Sequence, residues 1–140
     1  MIFNIDRDKI LVKLSFLQDN INKLVKLSAL TEEEFLSDFR NVYSAKYLLQ
    51  TSIEAMLDIS NHIVARNKWA KIESNKDSFE ALYKNGIIPE EYIDKFFMMA
   101  KFRNRIVHMY IDIDDKVIYS ILKNNIEDLK VFIDCIVQNM

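Results

Sequence analysis

"FLSDFRNVYSAKYLLQTSIEAMLDISNHI", Phe35 to Ile63, is the stretch that decides the fold. Phe35, Phe39, Val42, Leu49, Ile53, Met56 and Ile63 return at helical spacing, with neither glycine nor proline between them. A helix of about thirty residues reaches about 45 Å, long enough to be the spine of a small domain. Just ahead of it, Thr31 precedes Glu34 by three positions. A hydroxyl and a carboxylate at that interval satisfy the first free backbone N–H groups reciprocally, so the spacing predicts that the long helix opens at Thr31.

Outward from the spine the same period recurs. Ile10, Leu14, Leu17, Ile21 and Leu24 form one apolar seam on a helix from Asp6 to about Lys26. After the spine, "NKWAKIESNKDS" loses the period and reads as a connection, with Trp69 folding back onto the core. Asp77 or Ser78 can cap a short helix through Tyr83, and Gly86 falls where a helix end wants a positive φ. Pro89, Glu90 and Glu91 suit a first turn, and Ile93, Phe96, Phe97 and Ala100 supply the inner side of the helix that follows. "DIDD", 112–115, is a further capping stretch, and the apolar positions from Val117 to Ile136 make one last amphipathic helix. The expected fold is all-α: an up-down bundle of four long helices plus one short one, in a single domain over residues 1–140.

Composition agrees with long helices. One Gly and one Pro in 140 residues cannot supply the turns of a β-rich chain. Half the residues are apolar and 29% are charged, the balance of a folding chain. A lone Cys135 in an apolar run reads as a buried thiol in a reducing compartment. The N-terminus "MIFNIDRDK" carries acids and no signal-like apolar run, and no 18-residue uncharged stretch exists, so a cytoplasmic protein without a membrane span is expected. A net charge of −2 argues against a broad basic face for duplex nucleic acid, so any such contact must be local.

Two sets of polar residues could carry chemistry. Gln50, Glu54, Asp58 and His62 recur every four residues and form one stripe. The stripe is either a carboxylate and imidazole set for a metal or a solvated groove wall. A dinuclear site would want a matching Glu-x-x-His, and three residues before the only other histidine, His108, stands Arg105. No metal is expected, and helical phase leaves Glu54 and Asp58 as walls of a site.

The second set is "RNRIVHMY", Arg103 to Tyr110. Five residues along a straight helix leave Arg103 and His108 about 140° apart. They converge only if the last turn unwinds, which the β-branched Ile106 and Val107 favour, or if a second subunit brings its own copy. A guanidinium matches phosphate with a fork of donors, and an imidazole moves protons near neutral pH. Together they suffice for metal-free phosphodiester cleavage, with the 2′-OH of RNA as the nucleophile. On spacing alone, surface arginines and a histidine at a helix end explain the same residues.

"RNRIVHMY" resembles the R-x4-H-x-Y motif of HepT proteins, minimal members of the HEPN ribonuclease toxins, including the Asn after the first Arg. "LQTSIEAMLDISNHI" is similar to that family's second helix, and "SFEALYKNGIIPEEYIDKFFMMAKFRN" to its approach to the motif, so the likeness runs from about Tyr43 to Tyr110. The resemblance implies a homodimeric HEPN-like bundle acting as a metal-independent endoribonuclease with no cofactor. It assigns Arg103 to phosphate binding, His108 to proton transfer and Asn104 to local geometry. It assigns Arg105 no role beyond added positive potential or simple solvation. It also implies a partner, an MNT-type nucleotidyltransferase antitoxin that attaches AMP to Tyr110. A bulky anion two residues from His108 would block the cleft and repel RNA. Two other classes stay open: a non-catalytic HEPN subunit that docks a nucleotidyltransferase and binds nucleotide, and a structural helical adaptor.

Overall fold

Helix formation starts at Asp6, whose carboxylate accepts the Lys9 backbone N–H at 3.2 Å and caps α1, Arg7–Ser28. The structure, a computed structural model, describes residues 4–108 and 113–140. The described residues contain no strand, and none of their helices is long and apolar enough to cross a membrane. The all-α expectation holds, and the apolar seam of α1 is buried at all five positions read from the sequence.

The capping box at Thr31 forms: Glu34 N donates to Thr31 Oγ1 at 3.1 Å, and Thr31 N donates to Glu34 Oε1 at 2.9 Å. It opens only α2, Glu32–Leu36, and the spine begins anew as α3, Phe39–Arg66. The expectation of one helix from Thr31 is therefore corrected. Ser37 turns its hydroxyl back to the Glu34 carbonyl, and Asp38, in extended backbone, accepts from Arg40 N at 2.9 Å and caps the new helix. Short polar side chains that bond the local backbone compete with helix continuation, and here two stand together.

Two helix ends share one device. After α3, Trp69 N donates to Val64 O and Lys68 N to Ala65 O, and Lys68 takes φ 55°. The next helix, α4, Asn75–Lys84, is opened by Ser74 with Asp77 rather than by Asp77 or Ser78. It ends the same way, with Ile87 N on Leu82 O and Gly86 at φ 77°. Both are left-handed closures; glycine adopts that conformation freely and lysine does not. Trp69 packs against the core as expected.

α5, Glu91–His108, follows a first turn in which Tyr92 N donates to the Pro89 carbonyl. The apolar tail from Val117 onward is not one helix. α6, Asp115–Asn124, is capped by Asp114, and α7, Ile126–Gln138, starts after Asn125 leaves helical geometry at φ −120°. The break lets Ile118 and Leu122 of α6, and Leu129 and Phe132 of α7, each face the core. Seven helices among the described residues thus replace the four long and one short.

α3 runs antiparallel to α1, as the pairs Asp6 with His62, Lys13 with Asp58 and Asn20 with Thr51 show. It also packs on α4, α5 and α6. Phe96 of α5 lies fully buried with Phe79 at 5.6 Å and Phe132 at 5.5 Å between ring centroids. Each such side chain contributes about 2–3 kcal/mol by leaving water, and the cluster pins α5 to α4 and α7. Cys135 is half-buried rather than buried, and burial, with the Asp134 charge, pushes its thiol up.

Candidate functional site

α5 buries Phe96, Met99, Ala100 and Ile106. Position 103 continues that inward stripe, so the sequence puts a guanidinium where the seam wants an apolar side chain. A charge there needs a partner. It finds Glu54 on the neighbouring α3: Arg103 Nη2 lies 3.6 Å from Glu54 Oε2, with the two side chains 27% and 35% exposed. At that distance the contact is electrostatic rather than a hydrogen bond. Arg103 Nη1 donates to Asn104 Oδ1 at 3.1 Å, which holds one arm of the fork. Arg103 Nε and Glu54 Oε1 are shielded from solvent with no hydrogen-bond partner. The pair is charge-compensated, with one shielded atom on each side left without a hydrogen bond.

His108 closes α5 and is exposed. α5 remains helical through it, so the unwinding that could have swung it beside Arg103 does not occur in this chain. Within one copy the two residues stay about 140° apart around the axis and about 7.5 Å apart along it. Arg105 points elsewhere again, onto an apolar groove of about 520 Å³ lined also by Met98, Phe102, Ile53 and Ile121. Lys101 lies 4.7 Å over the Phe97 ring. Tyr110 lies outside the described residues.

The stripe on α3 is divided among separate tasks. Glu54 meets Arg103, Asp58 meets Lys13 at 3.2 Å, and His62 Nε2 accepts the Asp6 backbone N–H at 3.0 Å. That acceptor role requires a neutral ring. Burial lowers the basicity of His62, helped by the Lys9, Arg66 and Lys13 charges and opposed by Asp6. Among the described residues no group of three or more His, Cys, Asp or Glu could hold a metal ion. Of the two expected walls, only Glu54 is brought to Arg103. The missed feature is the Glu54–Arg103 pair itself; its signal was an arginine in phase with Phe96, Met99 and Ile106.

Comparison with known proteins turns this geometry into a class. The fold matches the tri-AMPylated Shewanella oneidensis HEPN toxin solved in complex with an MNT antitoxin, with TM-score 0.83 and 28% identity over 92% of this chain and 96% of that one. An all-α HEPN bundle with an Arg-x4-His helix end is thus the type of protein at hand. The family model described as Ribonuclease HepT-like matches residues 17–136, and the chain belongs to that family. The mRNA nuclease HepT of Shewanella oneidensis is 32% identical over 103 residues, covering 74% of this chain and 77% of that protein. The tRNA nuclease HepT of Aphanizomenon flos-aquae is 29% identical over 116 residues, covering 83% and 79%.

Proposed function

We propose that this chain, acting as one domain over residues 1–140, is the toxin ribonuclease of a HEPN/MNT toxin-antitoxin pair and cleaves RNA without a metal. The observation that carries the reading is Arg103, a guanidinium held beside Glu54 on the packed face of α5 with its side chain still 27% exposed, five residues before the exposed His108. Arg103 grips the non-bridging oxygens of the scissile phosphate and offsets the charge that builds there. His108 takes the proton of the 2′-OH, the O2′ attacks phosphorus, and the P–O5′ bond breaks. The departing oxygen takes up a proton, leaving a cyclic phosphate and a 5′-hydroxyl. Asn104 steadies the guanidinium through its 3.1 Å bond, and Arg105, turned onto the apolar groove, adds only longer-range positive potential.

The helical α5 supports a homodimer, because a two-fold axis can bring the His108 of one copy to the Arg103 of the other while neither helix unwinds. The MNT-type antitoxin would silence the site by adding AMP to Tyr110, placing an anion where RNA phosphate must enter.

Incubating the purified protein with RNA in excess EDTA tests the assignment. Wild type is expected to cleave, and Arg103→Ala and His108→Ala each to lose about 100-fold or more. Undiminished cleavage in both variants would overturn it. Intact mass after co-expression with a nucleotidyltransferase is expected to rise by AMP units, and Tyr110→Phe to abolish the gain.

A further inference from the structure

The exposed edge of α3 does not end at Glu54. Seven residues back stands Tyr47, and four further back Tyr43, which places both within about 20° of Glu54 around the helix axis. They lie about 10 Å and 16 Å from it along the axis. Tyr43 is 65% exposed and Tyr47 63%, and Phe39, one turn beyond, is 71% exposed. Three large aromatic side chains standing in water at i, i+4 and i+8 are not core, and none of the described helices covers them. Phe39 and Tyr43 already brace each other edge-to-face at 6.1 Å, and Lys46 sits 5.5 Å from the Tyr43 ring.

Between this stripe and α1 runs an open groove of about 630 Å³, bordered by Tyr43 and Tyr47 on one side and by Lys23, Lys26 and Leu27 on the other. No carboxylate among the described residues forms an ion pair with Lys23 or Lys26. Flat rings in a row beside unpaired ammonium groups suit a chain of flat bases on a polyanionic backbone. Lysines inside the groove argue against the dry apolar centre that a second protein copy would want.

We propose that Phe39, Tyr43 and Tyr47, with Lys23 and Lys26, form a stacking track for single-stranded RNA that leads along α3 to the Glu54–Arg103 pair. The proposal rests on the ribonuclease reading and names the surface that captures substrate upstream of the cut. Bases stack on the tyrosine rings while the lysines follow the phosphates. Because every base has a π-face, the track is tolerant of sequence. A paired duplex hides those faces and gains only the electrostatic part.

Binding can be separated from cleavage with a fluorescein-labelled 2′-O-methyl oligouridine, which lacks the nucleophile and stays intact. Its affinity would be measured by anisotropy at low salt for wild type, Tyr43→Ala/Tyr47→Ala and Tyr43→Phe/Tyr47→Phe, with sedimentation and a thermal melt on each. The alanine pair is expected to bind about tenfold or more weakly, at unchanged melting temperature and sedimentation, and the phenylalanine pair to bind like wild type. Equal affinity in the alanine pair, or no binding by wild type, overturns the track. So does a fall to a smaller sedimenting species in the alanine pair, which would make the rings an interface between copies. Wild type that binds the oligonucleotide but cleaves no RNA would count against the ribonuclease reading alone.

Discussion

At the C-terminal end of α3, polar groups are used up. His62 accepts the Asp6 N–H at 3.0 Å, Asn67 Nδ2 donates to the Asn4 carbonyl at 2.8 Å, and Asn4 N returns a bond to Asn67 Oδ1 at 3.1 Å. Two turns earlier on the same helix, Glu54 and Arg103 face each other at 3.6 Å with two shielded atoms unpartnered. Both places draw on the same α3 stripe of acid, amide and imidazole. One spends its hydrogen bonds on tying the N-terminal segment to the spine, and the other keeps them in reserve. Unspent capacity at a half-buried charge costs stability, and what a ligand can reach here is the part of the guanidinium that stays exposed.

The sharpest way to break that contrast is Glu54→Gln, which keeps the shape and removes the charge. RNA cleavage is expected to fall about tenfold, about 1.4 kcal/mol of transition-state binding, because the guanidinium loses the group that aims it. The melting temperature should barely move, since half-exposed ion pairs contribute little. A variant that melts early and cleaves normally would place Glu54 with the structural contacts instead.

His62→Ala is the converse. It removes the acceptor of the Asp6 N–H and is expected to cost about 1 kcal/mol in urea unfolding while leaving cleavage intact. The wild-type contribution also depends on pH. Burial holds the folded imidazole below its ordinary value of 6.5, so as pH falls the unfolded chain binds the proton first. The stabilisation is complete above about 6.5 and is lost as the pH drops through the lower folded value. Urea midpoints taken across that window should converge for wild type and His62→Ala at the acid end; a constant gap would show that the ring titrates alike in both states.

The two left-handed closures give the smallest effects. Gly86→Ala is expected to cost about 1 kcal/mol, through the backbone alone, since an added Cβ would meet nothing within 4 Å. Lys68→Gly should gain about 0.5–1 kcal/mol by relieving the same conformation. Thermal melts that moved the same way for both would refute the shared-geometry argument. Neither change should alter cleavage.

Much of the fold was legible because its signals are local. The α1 seam, the box at Thr31 and Glu34, the turn at Gly86 and the cap before α6 each lie within a few residues of the backbone they control. The breaks at Ser37–Asp38 and Asn125 were written in equally local chemistry but were outvoted by an apolar period running across both. Periodicity suggests which side chains face inward and is blind to a pause: Phe39 keeps the apolar spacing across the first break yet stands 71% exposed.

At the site, the sequence by itself determined the residue kit: Arg103, Asn104 and His108 on one helix end, with an acidic stripe on another. It also determined that Arg103 falls in an inward phase, since 3.6 residues per turn is a property of the backbone. Only the tertiary structure decided that Glu54 rather than Asp58 answers that charge, that His62 anchors the Asp6 that caps α1, and that α5 stays helical to His108. Those outcomes depend on how α1 and α5 lie against α3. Contacts between helices far apart in the chain are set by the packing of the whole core, which no window of sequence contains.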